Sequence, residues 1–94
     1  MYARVVTFQY QPGKLDEGLQ IARESILPEV RQRAGFQGST LLLDRSTNKM
    51  VAISLWQTEA DLQADMSNAP ARLAKSSSIV AAAPLVETYE VVQE

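Results

Sequence analysis

Trp56 is the only tryptophan in the chain. It closes an apolar run and could offer a flat indole face to an aromatic ring. A lone tryptophan on a strand of a small domain equally fills a core or an interface, because it buries a large area. Phe8 shares a face with Tyr2 and Tyr10, an aromatic stripe that could line a pocket or simply pack. Tyr89 could donate a phenol hydrogen bond to a substrate oxygen, or stand as a strand aromatic with its hydroxyl at the rim. Arg72 could stabilise developing negative charge near a pocket mouth, although an arginine in a helix reads first as part of a solvated face. Asn68, just before Pro70, could present an amide to a ligand or cap a helix. Asp61 and Asp65 stand one helical turn apart, a spacing that can hold a metal or do acid–base work. Asp61, however, falls in the first turn of a helix, where a carboxylate complements the helix dipole.

The residues that are missing narrow the chemistry further. There is no histidine and no cysteine. This removes the commonest general base, the usual zinc and haem ligands, and any Ser–His or Cys–His nucleophile pair. No metal site is expected. Nine Lys and Arg against eleven Asp and Glu give a net charge of -2. That balance argues against a nucleic-acid surface, which needs clustered positive charge. No apolar stretch approaches the roughly 20 residues of a membrane span. Met1-Tyr2-Ala3-Arg4-Val5 passes directly into a strand pattern without a signal-peptide core, so the cytoplasm is the default compartment. The 94 residues fit a single domain, 1–94. A domain of this size is marginally stable; with no disulfide available, oligomerisation is the remaining source of burial.

The elements that would position these side chains follow from hydrophobic period. Residues 2–10 alternate, with Tyr2, Arg4, Val6, Phe8 and Tyr10 on one face, which predicts a strand ended by Pro12-Gly13. Over residues 15–34 the apolar positions Leu15, Leu19, Ala22, Ile26 and Val30 draw one stripe along a helix. Pro28 should kink or break it, and Gly35 should stop it in the left-handed conformation. Residues 36–44 and 50–57 read as strands joined through the polar turn Ser46-Thr47-Asn48-Lys49. Thr58 should cap a second helix with Asp61 as a capping-box variant, and Pro70 should restart it over about 70–80. A last strand is expected over 85–93. The order βαββαβ matches an α+β, ferredoxin-like antiparallel sheet with helices on one face. Several strands are apolar on both faces, as where Val5 opposes Val6 and Leu42 opposes Leu41. A sheet with one solvated face alternates more cleanly, so a second copy of the chain is expected to cover it.

Three segments together resemble the antibiotic biosynthesis monooxygenase superfamily: ILPEVRQRAGFQG (26–38), LLLDRSTNKMVAISLWQTEADLQA (41–64) and VETYEVV (86–92). The shared marks are a proline within helix one, Gly-Phe-x-Gly leading into strand two, and a tryptophan closing strand three before an acidic helix. The resemblance implies a dimeric α/β barrel with sheets face to face and a pocket in each subunit between sheet and helices. Some members oxidise polycyclic aromatic compounds with molecular oxygen and no metal or flavin, others degrade haem, and many have no established activity. The haem-degrading branch uses a helix-borne histidine, which this chain lacks. The oxygenase branch uses a tryptophan at the end of strand three with asparagine, tyrosine and arginine nearby. Trp56 matches the tryptophan. Ala52 stands where the asparagine would be, no tyrosine lies between Trp56 and Tyr89, and Arg72 is in the right region without matching by spacing.

The expectation is therefore a homodimer without cofactor or metal. It would be a cofactor-independent monooxygenase acting on a small flat aromatic or quinone-like compound. Trp56, Asn68, Arg72, Tyr89 and Phe8 are the candidate substrate-binding residues, and no catalytic residue is assigned. The alternative is a non-catalytic homodimer that binds a small hydrophobic molecule. A regulatory sensor of the amino-acid-binding kind shares the same strand order.

Overall fold

The segments read as extended fold as four strands in the computed structural model, which describes residues 1–94. They are β1 (Tyr2–Gln9), β2 (Phe36–Asp44), β3 (Lys49–Trp56) and β4 (Leu85–Glu90), and they form one antiparallel sheet in the order β2-β3-β1-β4. Register places Val6 beside Ala52 and Val86, and Phe8 beside Met50. These side chains face the helices and build the core with Leu15, Ala22 and Ile79. The fold is the α+β, ferredoxin-like βαββαβ arrangement.

The first helical stretch is three pieces. α1 (Leu15–Ile21) runs into a π-helical turn over Ala22–Ile26, and α2 (Leu27–Val30) follows. Pro28 explains the change of ladder. It has no N–H to donate four residues back and its ring crowds the preceding carbonyl. The helix accommodates this by widening, so that the Leu27 N–H donates to the Ala22 carbonyl five residues earlier. The expected kink is thus a π-bulge. The apolar stripe survives, with Leu15, Ala22 and Val30 buried. The helix ends at Val30, four residues before the expected end, and turns to Gly35, whose φ of +83° needs glycine.

α3 (Glu59–Met66) begins at Thr58, whose Oγ1 accepts from the Asp61 N–H at 3.1 Å and donates to Asp61 Oδ2 at 2.9 Å. α4 (Ala69–Leu73) has proline in its first turn and tightens into a 3-10 turn over Ala74–Ser76. It stops well short of residue 80 because the following residues are needed elsewhere. Ile79 enters the core and Val80 bridges Tyr10, which requires extended chain. β4 ends at Glu90, with Val91 adding one further backbone bond to Met1.

The opposite face of the sheet carries Val5, Thr40, Leu42, Val51, Ile53 and Leu85 in adjoining registers. Leu42 and Leu85 are about half exposed, at 49% and 58%. The two-sided apolar pattern of the sequence therefore corresponds to a real uncovered surface on this chain.

Gly35 is also held by a neighbour: a Cβ there would collide with the Asp61 side chain that closes the α3 cap. Gly35→Ala combines positive-φ strain with disruption of that cap, and we expect it to lower stability by about 2 kcal/mol or more. Urea denaturation gives the value; an unchanged midpoint would contradict it.

Candidate functional site

An apolar cavity of about 60 Å³, partly open to the surface, lies between the inner face of the sheet and the helical layer. Val6, Phe8 and Met50 form its floor, and Ile26, Leu27 and Leu73 its roof. The π-bulge contributes directly, because Ala22, Ile26 and Leu27 all reach this one wall. A single benzene ring occupies a cavity of about 150 Å³ in a protein core. A ring system therefore enters here only as the roof moves outward. That roof consists of short pieces: α2 has four residues and α4 has five. Helices this short depend on packing rather than on their own hydrogen bonds, and they yield at low cost.

Four polar side chains line the cavity: Arg4, Ser39, Ser54 and Arg72. Arg4 and Arg72 converge on Asp65, which is 1% exposed. Arg4 Nη1 and Arg72 Nη1 each donate to Asp65 Oδ2 at 2.7 Å. Arg72 Nη2 donates to Oδ1, and the half-exposed Arg33 adds Nε to the same oxygen at 3.1 Å. Burial alone would raise the Asp65 pKa. The hydrogen bonds and charges of Arg72 and Arg4 outweigh it and hold the carboxyl below its ordinary value of 3.8. The hydrogen bonds to Asp65 in turn raise Arg72 against the opposing effect of burial. Arg72 Nε, also buried, has no hydrogen-bond partner and lies 3.4 Å from Glu29 Oε1.

The expected site residues separate under this geometry. Phe8 and Arg72 line the cavity. Arg72 is 3% exposed, so the solvated-face reading is corrected: its charge is buried because Asp65 pairs with it. Trp56 is wholly buried with Val30 and Leu62 and does not reach the cavity surface. It stands one layer behind. Its Nε1 donates to Ser54 Oγ at 3.0 Å, its ring meets Phe36 edge-on at 5.9 Å, and the Arg4 guanidinium lies 5.2 Å from its centroid. Trp56 thus orients two cavity groups without touching the space they line. Asn68 occupies the cap position of α4 but makes no capping hydrogen bond with its side chain, and it is not at the cavity. Tyr89 lies on the opposite face of the sheet, half exposed, where its hydroxyl donates to Glu87 Oε2 at 2.8 Å.

Arg4 is absent from the candidates that sequence suggests, and Asp65 is weighed there only with Asp61 as a metal or acid–base pair, although a signal for the buried ion cluster exists. Arg4 alternates in phase with Val6 and Phe8, and a charge on a core face needs a buried counter-charge. Asp65 falls three residues after Leu62, on the side of α3 that meets the sheet, rather than sharing the first-turn role of Asp61.

A carboxyl whose folded pKa lies below its unfolded value adds stability at pH values above the latter. That stability is lost as pH falls through the folded pKa. Unfolding free energy should therefore decline below about pH 4, and Asp65→Asn should remove part of that decline. Glu29 and Asp44, also held low by hydrogen bonds from Lys75 and Ser46 respectively, are exposed and remain in the variant. At pH 7 the substitution should cost about 3–5 kcal/mol, because Arg4 and Arg72 lose their shared counter-charge. Urea titrations at pH 7 and pH 3.5 test both parts; a variant as stable as the parent at pH 7 would refute them.

The family described as antibiotic biosynthesis monooxygenase matches residues 1–75. Two uncharacterized proteins of Mycobacterium tuberculosis are 28% and 26% identical over 91 residues, which is 97% of this chain. The chain spans only 41% and 39% of their respective lengths. Among solved structures, NE2512 from Nitrosomonas europaea, a protein of unknown function, superposes with a TM-score of 0.82 at 20% identity, covering 99% of this chain and 90% of that one. A mutant form of SnoaB from Streptomyces nogalater, a cofactor-independent oxygenase, superposes with a TM-score of 0.81 at 16% identity, covering 99% of this chain and 94% of that one. These superpositions establish the shared fold, and the match over residues 1–75 establishes that the chain belongs to the antibiotic biosynthesis monooxygenase family.

Proposed function

We propose that residues 1–94 act as one domain whose cavity binds a small flat aromatic or quinone-like compound, and that the protein oxygenates this compound without a cofactor. The observation that supports this best is an apolar cavity with two buried arginines, Arg4 and Arg72, among its lining residues. The walls suit a ring, and the arginines suit an oxygen that becomes negative. No carboxylate lines the cavity and the chain has no histidine, so no general base faces the substrate. The substrate must then be acidic enough to ionise with little help. Its anion, formed by loss of one proton from a ring CH2 group, reduces molecular oxygen; one oxygen atom is retained as the carbonyl of that carbon, and the other leaves as water with the two hydrogens the carbon gives up. The protein supplies a dry enclosure and a positive environment for the anion.

The second reading is a homodimer that binds such a compound without oxidising it. Ala52 at the cavity wall favours it, because an asparagine in that position would supply an amide to the substrate. Both readings use a dimer in the cytoplasm. The face bearing Leu42, Ile53 and Leu85 is the surface by which a second copy would pack.

Trp56 reports on the cavity through Ser54. A panel of anthrone- and quinone-like compounds should quench its fluorescence saturably, with at least one dissociation constant in the micromolar range, roughly -8 kcal/mol. An oxygen electrode then separates the readings: ligand-dependent oxygen uptake supports the oxygenase, and binding without uptake supports the sequestering protein. A folded protein that no planar ligand quenches would contradict both. Sedimentation equilibrium at micromolar concentration should give twice the chain mass, and Leu42→Glu should shift it towards one chain. A parent protein sedimenting as a monomer would contradict the packing assigned to the open face.

A further inference from the structure

We propose that the cavity selects a monoanion, whose charged oxygen sits on Arg4 and Arg72, and that Asp65 is the positioning residue that fixes this seat. The inference rests on the ligand-binding reading above and names the class of ligand.

Asp65 spends its whole acceptor capacity on three arginines. Oδ2 takes Arg4 Nη1 and Arg72 Nη1, and Oδ1 takes Arg72 Nη2 and Arg33 Nε. Two guanidinium groups that would otherwise repel are thereby held side by side. Their donors are only partly used. Arg4 donates from Nη1 to Asp65 and to the Met66 sulfur, while its Nε and Nη2 have no protein acceptor. Arg72 Nε makes no hydrogen bond but faces Glu29 Oε1 at 3.4 Å, so the idle donors are those of Arg4. Ser54, opposite Arg4 in register, accepts from Trp56 and keeps its own O–H free.

The charges decide which ligand fits. Arg4 and Arg72 contribute +2 and Asp65 contributes -1, leaving +1 among the fully buried groups. Arg33 and Glu29, at 41% and 46% side-chain exposure, are screened by water and opposite in sign. A neutral ring would leave the buried +1 uncompensated in an apolar enclosure, and a dianion would overcompensate it. A monoanion closes the balance and can accept the idle donors, which makes the preference one of charge as well as shape. Phenolates, enolates and carboxylates share this chemistry.

The test compares 2-hydroxy-1,4-naphthoquinone, an acid ionised at pH 7, with its neutral 2-methoxy ether of nearly the same shape. Titration calorimetry on the intact protein should give at least about tenfold tighter binding for the anion. Asp65→Asn separates positioning from simple attraction. It raises the buried charge to +2 yet releases both arginines, so a positioned seat loses its preference for the anion, whereas plain attraction would strengthen it. Should that variant fail to fold, Arg4→Lys keeps the charge but loses the planar fork, and it should likewise erase most of the preference. Equal affinity for acid and ether in the parent protein overturns the inference and leaves the pocket reading standing. Tighter anion binding in Asp65→Asn, or an undiminished preference in Arg4→Lys, overturns the positioning role. Binding of neither compound overturns the inference together with the reading beneath it.

Discussion

A single buried carboxylate sets the constraint on which the functional end of this fold depends. Asp65 is placed by α3 beneath the sheet, and charge cannot remain there unpaired: an isolated buried ion is costly enough that proteins neutralise or partner it. Arg4 from β1 and Arg72 from α4 are therefore drawn together from segments that are 68 residues apart in sequence. The same pairing ties the short, weakly self-supporting α4 to the centre of the sheet. A buried ion cluster is a poor source of net stability, because desolvation offsets much of the attraction. Its value here lies in geometry, since it presents arginine nitrogens to a cavity that is otherwise apolar.

The cavity itself follows from a second local conflict. Pro28 prevents a continuous α-helix, and the chain answers with a π-bulge rather than a sharp bend. The widened turn and the residue after it bring Ala22, Ile26 and Leu27 to the cavity lining. Phe8, on the floor, is flanked by Tyr10 on the same face, whose ring stacks on it with centroids 5.8 Å apart. Tyr10 can lie so close to α1 only because Gly18 has no side chain. Burial pushes the Tyr10 phenol up to about 12, although the Ser76 hydroxyl opposes the shift, so it stays neutral and the floor carries no charge. A firm floor and a segmented roof are compatible with the ring-binding reading proposed above.

Much of this architecture is legible in the sequence because the governing signals are local. Period-2 alternation locates β1, β3 and β4, the Leu41-Leu42-Leu43 run before a polar turn locates β2, and residue type and spacing identify the cap at Thr58 and the stop at Gly35. The helical ends after Val30 and Ser76 come earlier than the sequence predicts, because tertiary demands on Ile79 and Val80 override helical continuation in the second case and the turn to Gly35 ends the first. The site is less legible. Trp56 carries the family resemblance and is structurally central, yet it acts through Ser54 and Arg4 rather than at the cavity surface. Tyr89 falls on the other face of the sheet, a placement that depends on strand register. Arg72 reads as a solvated residue because its partner, seven residues away and across a helix break, is not visible as a helical pair. Pairing of buried charges is a three-dimensional property, and only the in-phase charge at Arg4 hints at it.

A crystal structure with 2-hydroxy-1,4-naphthoquinone bound tests the proposed seat most directly. The ring is expected between Phe8 and the π-bulge, with Ile26 and Leu27 displaced outward. The ionised oxygen should lie within about 3.2 Å of an Arg4 or Arg72 nitrogen. A ligand bound on the open face of the sheet, or in the acidic recess beside Tyr2, Glu59 and Tyr89 with the cavity still closed, would contradict it.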